Sequence, residues 1–297
     1  MAEADSCQCP VPRPLYGYST AYRTCLTIVH MVKEEHSRRR IVAVTGASGA
    51  IGTAIARQLA EIPGQEVVLI CRDEDKAARC ADGISRATGN PNVRYELTDL
   101  SLRASVQALA NRWEGPLDVL INNAAIAPRR RMQTAEGIEM QFATNVLGYF
   151  WMIDALSEHL RHGSDARIIN VASYWAGGLV LGDLEFRKRP YNNDAAYRQS
   201  KQADRMLSVA FARRLQPLGI TVNACHPGDV NSTLSNSLGF GGHQSPDSGA
   251  ETPVWLAVGE TGGQHTGKYF EHQHEVSCTF GRDHEAVEIL YETCQSY

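Results

Sequence analysis

From residue 41 onward, hydrophobic and polar positions follow two alternating patterns. Short apolar runs, typical of buried strands, alternate with segments of ten or more residues in which apolar positions recur every three or four residues, as on one face of a helix. The apolar runs predict strands at 41–46, 66–71, 92–99, 117–125, 166–173, 220–228 and 267–272. Strands separated by helices of this length form right-handed βαβ units. The pattern therefore predicts one doubly wound α/β domain with a mainly parallel sheet of about seven strands.

Residues 1–39 lack this pattern. They combine prolines, polar aromatic residues and basic residues without a period, so we expect a mobile N-terminal extension followed by a single domain at 40–297. A cleaved targeting segment is the alternative, although Glu3 and Asp5 are unusual in a transit peptide. No stretch has the roughly 18 consecutive apolar residues of a membrane span, so we expect a protein with no membrane-spanning segment.

Charge and cysteine content narrow the class of partner. The formal net charge is −4 at pH 7, which gives no electrostatic attraction for nucleic acid and favours a small molecule. The eight cysteines are scattered and lack the spacing of a zinc site, so we expect reduced thiols and a cytoplasmic location. His272 and His274 could bind a metal, but no third ligand accompanies them, and we predict no metal site.

A glycine-rich turn, TGASGAIG at 45–52, joins the first predicted strand to the first helix. Gly46, Gly49 and Gly52 would permit a tight turn and let a pyrophosphate approach backbone amides at the positive end of a helix dipole. In this position the turn predicts a dinucleotide site of the Rossmann type. Ser48 and Ile51 lie in the same turn, and we expect them to contact the dinucleotide.

Residues at the end of the second strand favour NADP(H) over NAD(H). An acid there would accept hydrogen bonds from the adenosine ribose and repel a 2′-phosphate, whereas an arginine attracts that phosphate. Cys71 takes the place of the acid and Arg72 follows it, with Asp73 as the opposing observation.

Asp99 ends the third strand and is placed to hydrogen-bond an adenine amine or to close a turn. We expect Leu100, beside it, to line the same site.

Three polar side chains indicate the chemistry. Tyr197 and Lys201 lie side by side, four residues apart, on a helix predicted at about 195–215. Alone, this pair is more typical of a tyrosine packed over a lysine stem on a surface helix. Ser173, at the carboxyl end of a strand, completes a set suited to proton transfer. The ammonium would favour the phenolate, whose free pKa is about 10, and the serine would hold the substrate oxygen.

Together these motifs resemble the short-chain dehydrogenase/reductase family over roughly residues 40–297. The family's order of motifs is present as the glycine turn, NNAA at 122–125, Asn145, Ser173, Tyr197 with Lys201, and HPGDV at 226–230. The resemblance implies an oxidoreductase that interconverts a carbonyl compound and an alcohol by hydride transfer, with Tyr197 as general acid/base. Dimers and tetramers are frequent in this family, so a homo-oligomer stays open.

The resemblance also implies roles for individual residues. Asn145 would complete a catalytic tetrad with Ser173, Tyr197 and Lys201, and its carbonyl would hold a water that relays protons to Lys201. Asn122 and Asn123 would stabilise the central strand. The residues expected to bind the cofactor are Gly46, Ser48, Gly49, Ile51, Gly52, Arg72, Asp99, Leu100, Asn123, Tyr197, Lys201, Pro227, Gly228 and Val230.

Within the family, TAEGIEMQFATNVLGYF and TGKYF are most like the retinol-dehydrogenase-like branch. The spacing TGxxGxxG and Ala125 in place of a glycine are departures, and the segment 232–249 is short and polar where membrane-bound retinoid enzymes carry a longer insertion. We therefore expect a smaller or more polar carbonyl compound than retinol. An epimerase, a carbon–carbon double-bond reductase and a non-catalytic NADP(H)-binding protein remain as alternatives.

Two long loops, at 178–194 and 233–250, are candidates for the walls of a substrate pocket, because ligands of such sheets bind beyond the carboxyl ends of the strands. Trp175 could line that pocket or pack beneath the loop. The arginine runs at 38–40 and 129–131 are expected to lie in solvated loops.

Overall fold

An eight-stranded sheet organises the protein, for which a computed structural model describes residues 38–260 and 262–297. The expected extension at 1–39 therefore lies outside the described residues, apart from its last two. The elements are β1 (Arg40–Thr45), α1 (Ala50–Ala60), β2 (Gln65–Cys71), α2 (Glu74–Thr88), β3 (Val93–Leu97), α3 (Arg103–Arg112), β4 (Val119–Asn122), α4 (Met140–Phe142), α5 (Gly148–Arg161), β5 (Arg167–Val171), α6 (Asn193–Leu215), β6 (Thr221–His226), α7 (Thr233–Ser237), α8 (Pro246–Val258), β7 (Tyr269–Glu271), β8 (His274–Val276) and α9 (His284–Gln295). A π-helical segment, Ala143–Leu147, joins α4 to α5.

The strand order is β3-β2-β1-β4-β5-β6-β7-β8, and neighbours from β3 to β7 are parallel. All seven predicted strands are present, although several are shorter than predicted. The order reverses between β1 and β4, and at such a switch point the loops diverge and leave a crevice at the carboxyl ends of the strands. The glycine turn follows β1 and therefore lies at this crevice.

The eighth strand, β8, was not predicted. It pairs with β7 in antiparallel fashion, and all three of its residues are exposed, so no hydrophobic pattern marks it. The connecting residues His272 and Gln273 both have positive φ, at 49° and 62°, as a two-residue hairpin turn requires. His272 and His274 therefore belong to an exposed hairpin.

Two helical layers cover the sheet. Helices α1, α2 and α8 pack on one face, and α3, α5, α6 and α9 pack on the other. Because both faces are covered, the central strands are mostly apolar, and Val42, Ala43 and Val44 of β1 are fully buried. The residues of β3 are half-buried or exposed, because β3 is an edge strand of the sheet.

Helix α6 carries the predicted tyrosine and lysine. The Asn192 side chain caps it by accepting a hydrogen bond from the amide of Ala195 at 2.9 Å. Its apolar side chains, among them Ala203 and Leu207, are buried, and so are polar ones around the helix, including Lys201, Arg205 and Ser208. The helix is therefore enclosed on more than one side, and Tyr197 and Lys201 do not lie on its solvated surface.

Candidate active site

The glycine turn after β1 is closely packed. Gly46 has φ +64°, and a Cβ atom at this position would lie 2.8 Å from the Cα atom of Ala124. A Cβ atom on Gly52 would overlap the carbonyl oxygen of Gly46. Gly49 is the N-cap of α1, and no side chain caps that helix. The first-turn amides of α1 are thus left for a ligand, which is the arrangement that binds anionic groups.

A cavity of about 330 Å³ lies against this turn. The predicted cofactor residues that line it are Gly46, Ser48, Gly49, Ile51, Gly52, Arg72, Asp99, Leu100 and Asn123. Cys71, Thr98 and Ala125 also line it. The cavity has the size typical of small-molecule sites, and its walls come from the carboxyl ends of β1, β2, β3 and β4.

Two acids near this cavity are engaged in local structure. The Asp99 carboxylate accepts hydrogen bonds from the amide and hydroxyl of Ser101, at 3.0 and 2.7 Å. Asp99 thus closes a turn, the alternative considered from sequence, while it also lines the cavity. Asp73 caps α2 by accepting a hydrogen bond from the Lys76 amide at 2.9 Å.

Asparagine side chains tie the strand ends together. Asn123 donates through Nδ2 to the Thr45 carbonyl at 2.9 Å, joining β4 to β1. Asn122 donates to Asn170 Oδ1 at 2.9 Å, and Asn170 donates in turn to the Ser208 hydroxyl at 2.9 Å. These hydrogen bonds link β4 to β1 and to β5, and β5 to α6, and they pair amide groups of Asn122 and Asn170 that burial would otherwise leave without a partner.

Asn145 lies in the π-helical segment, a local geometry often found at functional sites. Its side chain accepts a hydrogen bond from the Ile126 amide at 2.9 Å and donates to the Ile126 carbonyl at 3.0 Å. It also donates to the Ser200 hydroxyl at 3.2 Å. The side chain of Asn145 thus anchors the loop after β4 to α6.

Ser173 and Tyr197 face a second, smaller cavity of about 50 Å³. The Ser173 hydroxyl accepts a hydrogen bond from the Trp175 amide at 3.1 Å. Burial raises the pKa of Tyr197 to about 12, while its hydrogen bond with the Ser173 side chain acts in the opposite direction and Asp204 adds to the rise. The phenol is therefore protonated at neutral pH, with its hydroxyl beside the serine.

The surroundings of Lys201 differ from the prediction. Its Nζ donates to the Val171 carbonyl at 2.9 Å, to Asp204 Oδ2 at 2.9 Å and to the Tyr149 hydroxyl at 3.5 Å. Lys201 is not among the residues that line the two cavities. The physical reason is a buried acid one turn further along the same helix.

Asp204 and Tyr149 are the residues that sequence reasoning missed. Asp204 carried a signal, because an acid three residues after a lysine on a helix can pair with it. Tyr149 carried none, since its proximity to Lys201 depends on how α5 packs against α6.

Three of the residues expected to bind the cofactor border the smaller cavity. Pro227, Gly228 and Val230 all line it, and Gly228 has φ +95°. Trp175 lines the same cavity and makes an edge-to-face contact with Phe240, with ring centroids 5.0 Å apart. The predicted 233–250 loop therefore contributes to the pocket through Phe240.

The 178–194 loop does not contribute to either cavity, among the residues that the structure describes. It packs elsewhere: Arg187 pairs with Glu185 at 3.0 Å, and Arg131 donates to the Glu185 carbonyl at 2.9 Å. One of the three arginines at 129–131 is therefore engaged with this loop, while Arg129 and Arg130 are exposed.

Comparison with known proteins identifies the family. The sequence profile described as short chain dehydrogenase matches residues 40–239. The protein belongs to the short-chain dehydrogenase family. This short-chain dehydrogenase is 36% identical over 252 residues to retinol dehydrogenase 13 of Mus musculus, a match that covers 78% of this chain and 75% of the relative. The retinol-dehydrogenase-like assignment is thereby confirmed.

Solved structures of a short-chain dehydrogenase and of a reductase have the same fold. One from Burkholderia cenocepacia J2315, in complex with NADP, has a TM-score of 0.64 and 25% identity, covering 79% of this chain and 96% of that one. The 3-ketoacyl-(acyl-carrier-protein) reductase from Brucella melitensis, complexed with NADH, has a TM-score of 0.60 and 26% identity, covering 79% and 97%.

As a short-chain dehydrogenase, the protein is a nicotinamide-dependent oxidoreductase that acts on CH–OH or C=O groups. The larger cavity fits such a cofactor, since it combines a glycine turn too tight for side chains with an uncapped helix N-terminus. Within residues 38–260 and 262–297, no helix has the length and apolar character needed to cross a membrane.

Proposed function

We propose that the protein interconverts a compact carbonyl compound and its alcohol, prefers NADP(H), and uses Tyr197 to exchange a proton with the substrate oxygen. The observation that carries this proposal is the contact between the Tyr197 phenol and the Ser173 hydroxyl in the smaller cavity. Ile51, Ser232 and Leu234 line both cavities, so the reacting groups adjoin the cofactor cavity.

The protonation state of Tyr197 supports an acid role. A phenol with a pKa of about 12 carries its proton at neutral pH, so it can donate that proton to a carbonyl oxygen during reduction. Ser173 would hold the same oxygen in place. The bound nicotinamide supplies the hydride. Oxidation of the alcohol would require the phenolate and should therefore become faster as the pH rises.

Three observations support NADP(H). Arg72 lines the larger cavity and is exposed at its edge, where its guanidinium can pair with a phosphate. Cys71 has no charge to repel a phosphate there, because burial raises the pKa of its thiol. Asp73, the residue that opposed this preference, is engaged as the cap of α2 and does not line the cavity.

The size and lining of the smaller cavity support a compact substrate. Its volume of about 50 Å³ holds only a few non-hydrogen atoms unless side chains move. Tyr174, Trp175 and Phe240 supply aromatic walls, while His226 and Ser173 supply polar groups. A small aldehyde or ketone with an apolar substituent suits this lining better than a long polyene chain.

The test is to measure NADPH oxidation by the purified protein with a panel of small aldehydes, ketones and enones. With the best substrate, Tyr197→Phe should lower kcat/KM by roughly 10²- to 10⁴-fold, while NADPH binding stays nearly unchanged. Tyr95→Phe is the matched control, since Tyr95 lies on β3 and lines neither cavity. Unchanged turnover in Tyr197→Phe would reject the assigned role.

The same panel separates the alternatives. An epimerase would convert its substrate without steady loss of NADPH, and a double-bond reductase would reduce only the carbon–carbon bond of the enones. Tight NADPH binding with no turnover of any compound would favour a non-catalytic protein.

A further inference from the structure

A buried arginine on α6 binds the backbone of the serine in the smaller cavity. The side chain of Arg205 is 8% exposed, and its Nη2 atom donates hydrogen bonds to the main-chain carbonyl of Ser173 and to the Tyr269 hydroxyl. Burial of a guanidinium is costly unless its donors find acceptors. Because the Nε atom of Arg205 has no hydrogen-bond partner, the two bonds from Nη2 are the ones that fix this group.

Residues of β7 restrict the guanidinium further. Its central carbon lies 3.5 Å from the centroid of the Tyr269 ring, which is close enough for a cation–π contact. The Tyr269 hydroxyl donates to Glu271 Oε1 at 2.8 Å, and the same carboxylate oxygen lies 4.0 Å from Arg205 Nη2. The positive charge therefore has a carboxylate nearby, and β7 provides a fixed support from which the arginine reaches Ser173.

Ser173 lies just beyond the sheet, where the strand ladder no longer supports it. The pairing of β5 with β6 ends two residues before Ser173, and the Ala172 amide makes one more bond, to the Cys225 carbonyl at 2.8 Å. The Ser173 hydroxyl accepts a hydrogen bond from the Trp175 amide at 3.1 Å, so its position follows that of the loop backbone. The hydrogen bond from Arg205 to the Ser173 carbonyl fixes this backbone at the serine itself.

The arginine and the proposed proton donor belong to the same helix. Arg205 follows Tyr197 by eight residues, or about 12 Å along the helix axis, and side chains of a helix lean towards its N-terminus. The loop after β5 is also tied to α6 by the Gly177 amide, which donates to the Arg198 carbonyl at 3.1 Å. Since the Tyr197 phenol hydrogen-bonds with the Ser173 side chain, the geometry of this pair depends on how the loop is fixed to the helix.

We propose that Arg205 is a positioning residue of the proposed reaction, which binds the Ser173 carbonyl and so holds the Ser173 hydroxyl beside the Tyr197 phenol. The proposal rests on the proposed function, in which Ser173 holds the substrate oxygen and Tyr197 exchanges a proton with it. Arg205 is not among the residues that line the two cavities, so it would act through the serine. A displacement of about 1 Å in such a group can cost roughly 100-fold in rate.

The test is a double-mutant cycle in the full-length protein, with NADPH and the best substrate of the carbonyl panel. Arg205→Met removes the hydrogen bonds and keeps an apolar stem, so kcat should fall by roughly 10- to 100-fold. Ser173→Ala removes the hydroxyl through which Arg205 would act. In the Ser173→Ala background, Arg205→Met should therefore lower kcat by only about twofold more. Rates are expressed per NADPH-binding site found by titration, so that loss of folded protein does not enter kcat.

A merely structural role for Arg205 predicts a different outcome. The losses of the two variants would then multiply, and that result would overturn the proposal. The Kd for NADPH should stay unchanged in both variants, because neither residue is among those that line the larger cavity. Arg213→Met is the matched control: it replaces an exposed arginine eight residues further along α6 and should leave kcat unchanged.

Arg205→Lys keeps the test decisive if Arg205→Met does not fold. A lysine retains the positive charge near Glu271 but is a compact donor without the planar fork of arginine. We expect kcat to fall by roughly 3- to 10-fold, the worth of one hydrogen bond, and only while Ser173 is present. A wild-type kcat in Arg205→Lys, or an equal loss in the Ser173→Ala background, would overturn the role of Arg205. Normal turnover in Ser173→Ala alone would instead reject the role of the serine in the proposed function.

Discussion

At the scale of single residues, burial controls which side chains are charged. Burial raises the pKa of Tyr197 and favours its protonated form. Burial also lowers the pKa of His226 to about 4, with the nearby charge of Arg205 acting in the same direction. His226 lines the smaller cavity beside Tyr197, so the imidazole and the phenol in that cavity are both uncharged at physiological pH.

The neutral state of His226 should make stability depend on pH. In the unfolded chain His226 titrates near its ordinary value of 6.5, whereas in the folded protein it does so near 4. As the pH falls, the unfolded state therefore binds the proton before the folded state does. The contribution of His226 to stability is complete above pH 6.5 and is lost as the pH falls towards 4. When the pH is lowered from about 7 to about 5, we expect the free energy of unfolding of His226→Asn to fall by about 2 kcal/mol less than that of the wild type.

Urea unfolding at the two pH values checks this prediction. His274→Asn is the control, since His274 is exposed on β8 and its replacement should leave the pH dependence of the wild type intact. Equal losses in the wild type and in His226→Asn would show that His226 does not titrate as described.

Arg72 should determine the choice of cofactor. Arg72→Ala removes a charge-assisted hydrogen bond to a 2′-phosphate, worth about 1.5–3 kcal/mol, so the KM for NADPH should rise by roughly 10- to 100-fold. The KM for NADH should change little, because NADH lacks that phosphate. Steady-state kinetics with both cofactors measure the difference, and Arg86→Ala on the exposed side of α2 is the control. An equal rise for both cofactors would contradict an interaction with the phosphate.

At the scale of elements, the β1–α1 connection depends on close backbone contact. Gly46 packs against Ala124 after β4, and Gly52 packs against Gly46 and Asn123. The turn therefore links β1, α1 and β4 at the switch point of the sheet. A change in this turn should affect both the stability of the fold and the binding of the cofactor.

Two glycines on helices provide a matched comparison. A Cβ atom on Gly52 meets backbone atoms of the turn, whereas a Cβ atom on Gly83 in α2 meets no atom within 4 Å. Gly52→Ala should destabilise the protein by about 1–3 kcal/mol and weaken NADPH binding. Gly83→Ala should stabilise it by about 0.5–1 kcal/mol and leave binding unchanged. Thermal unfolding and NADPH titration measure both effects; equal behaviour of the two variants would contradict the steric argument.

At the scale of the whole molecule, Arg40–Tyr297 form one compact unit, and this unit supplies the sheet, both helical layers and both cavities. We therefore expect a chain of residues 38–297 to fold, to unfold at nearly the temperature of the full-length protein and to bind NADPH equally well. Thermal unfolding and NADPH titration of the two chains check this. Loss of folding or of binding in the shorter chain would reject the proposed division at residue 39.

The sequence by itself determined the order of the strands and helices and the position of the glycine turn. Hydrophobic periodicity and the steric freedom of glycine are local properties, so they can be recognised without the fold. β8 was not predicted, because its three exposed residues have no apolar pattern. The placement of Ser173 near Tyr197 was predictable too, since the end of β5 and the start of α6 meet at the same edge of the sheet.

Only the tertiary structure decided where the Lys201 ammonium points. Its partners are an acid on its own helix, a carbonyl of β5 and a phenol on α5, and the last two are distant from it in the chain. Whether a lysine pairs with a tyrosine or with an acid depends on the charges that packing encloses with it. Electrostatic energies in a buried cluster depend on distances between elements, which the sequence pattern does not contain.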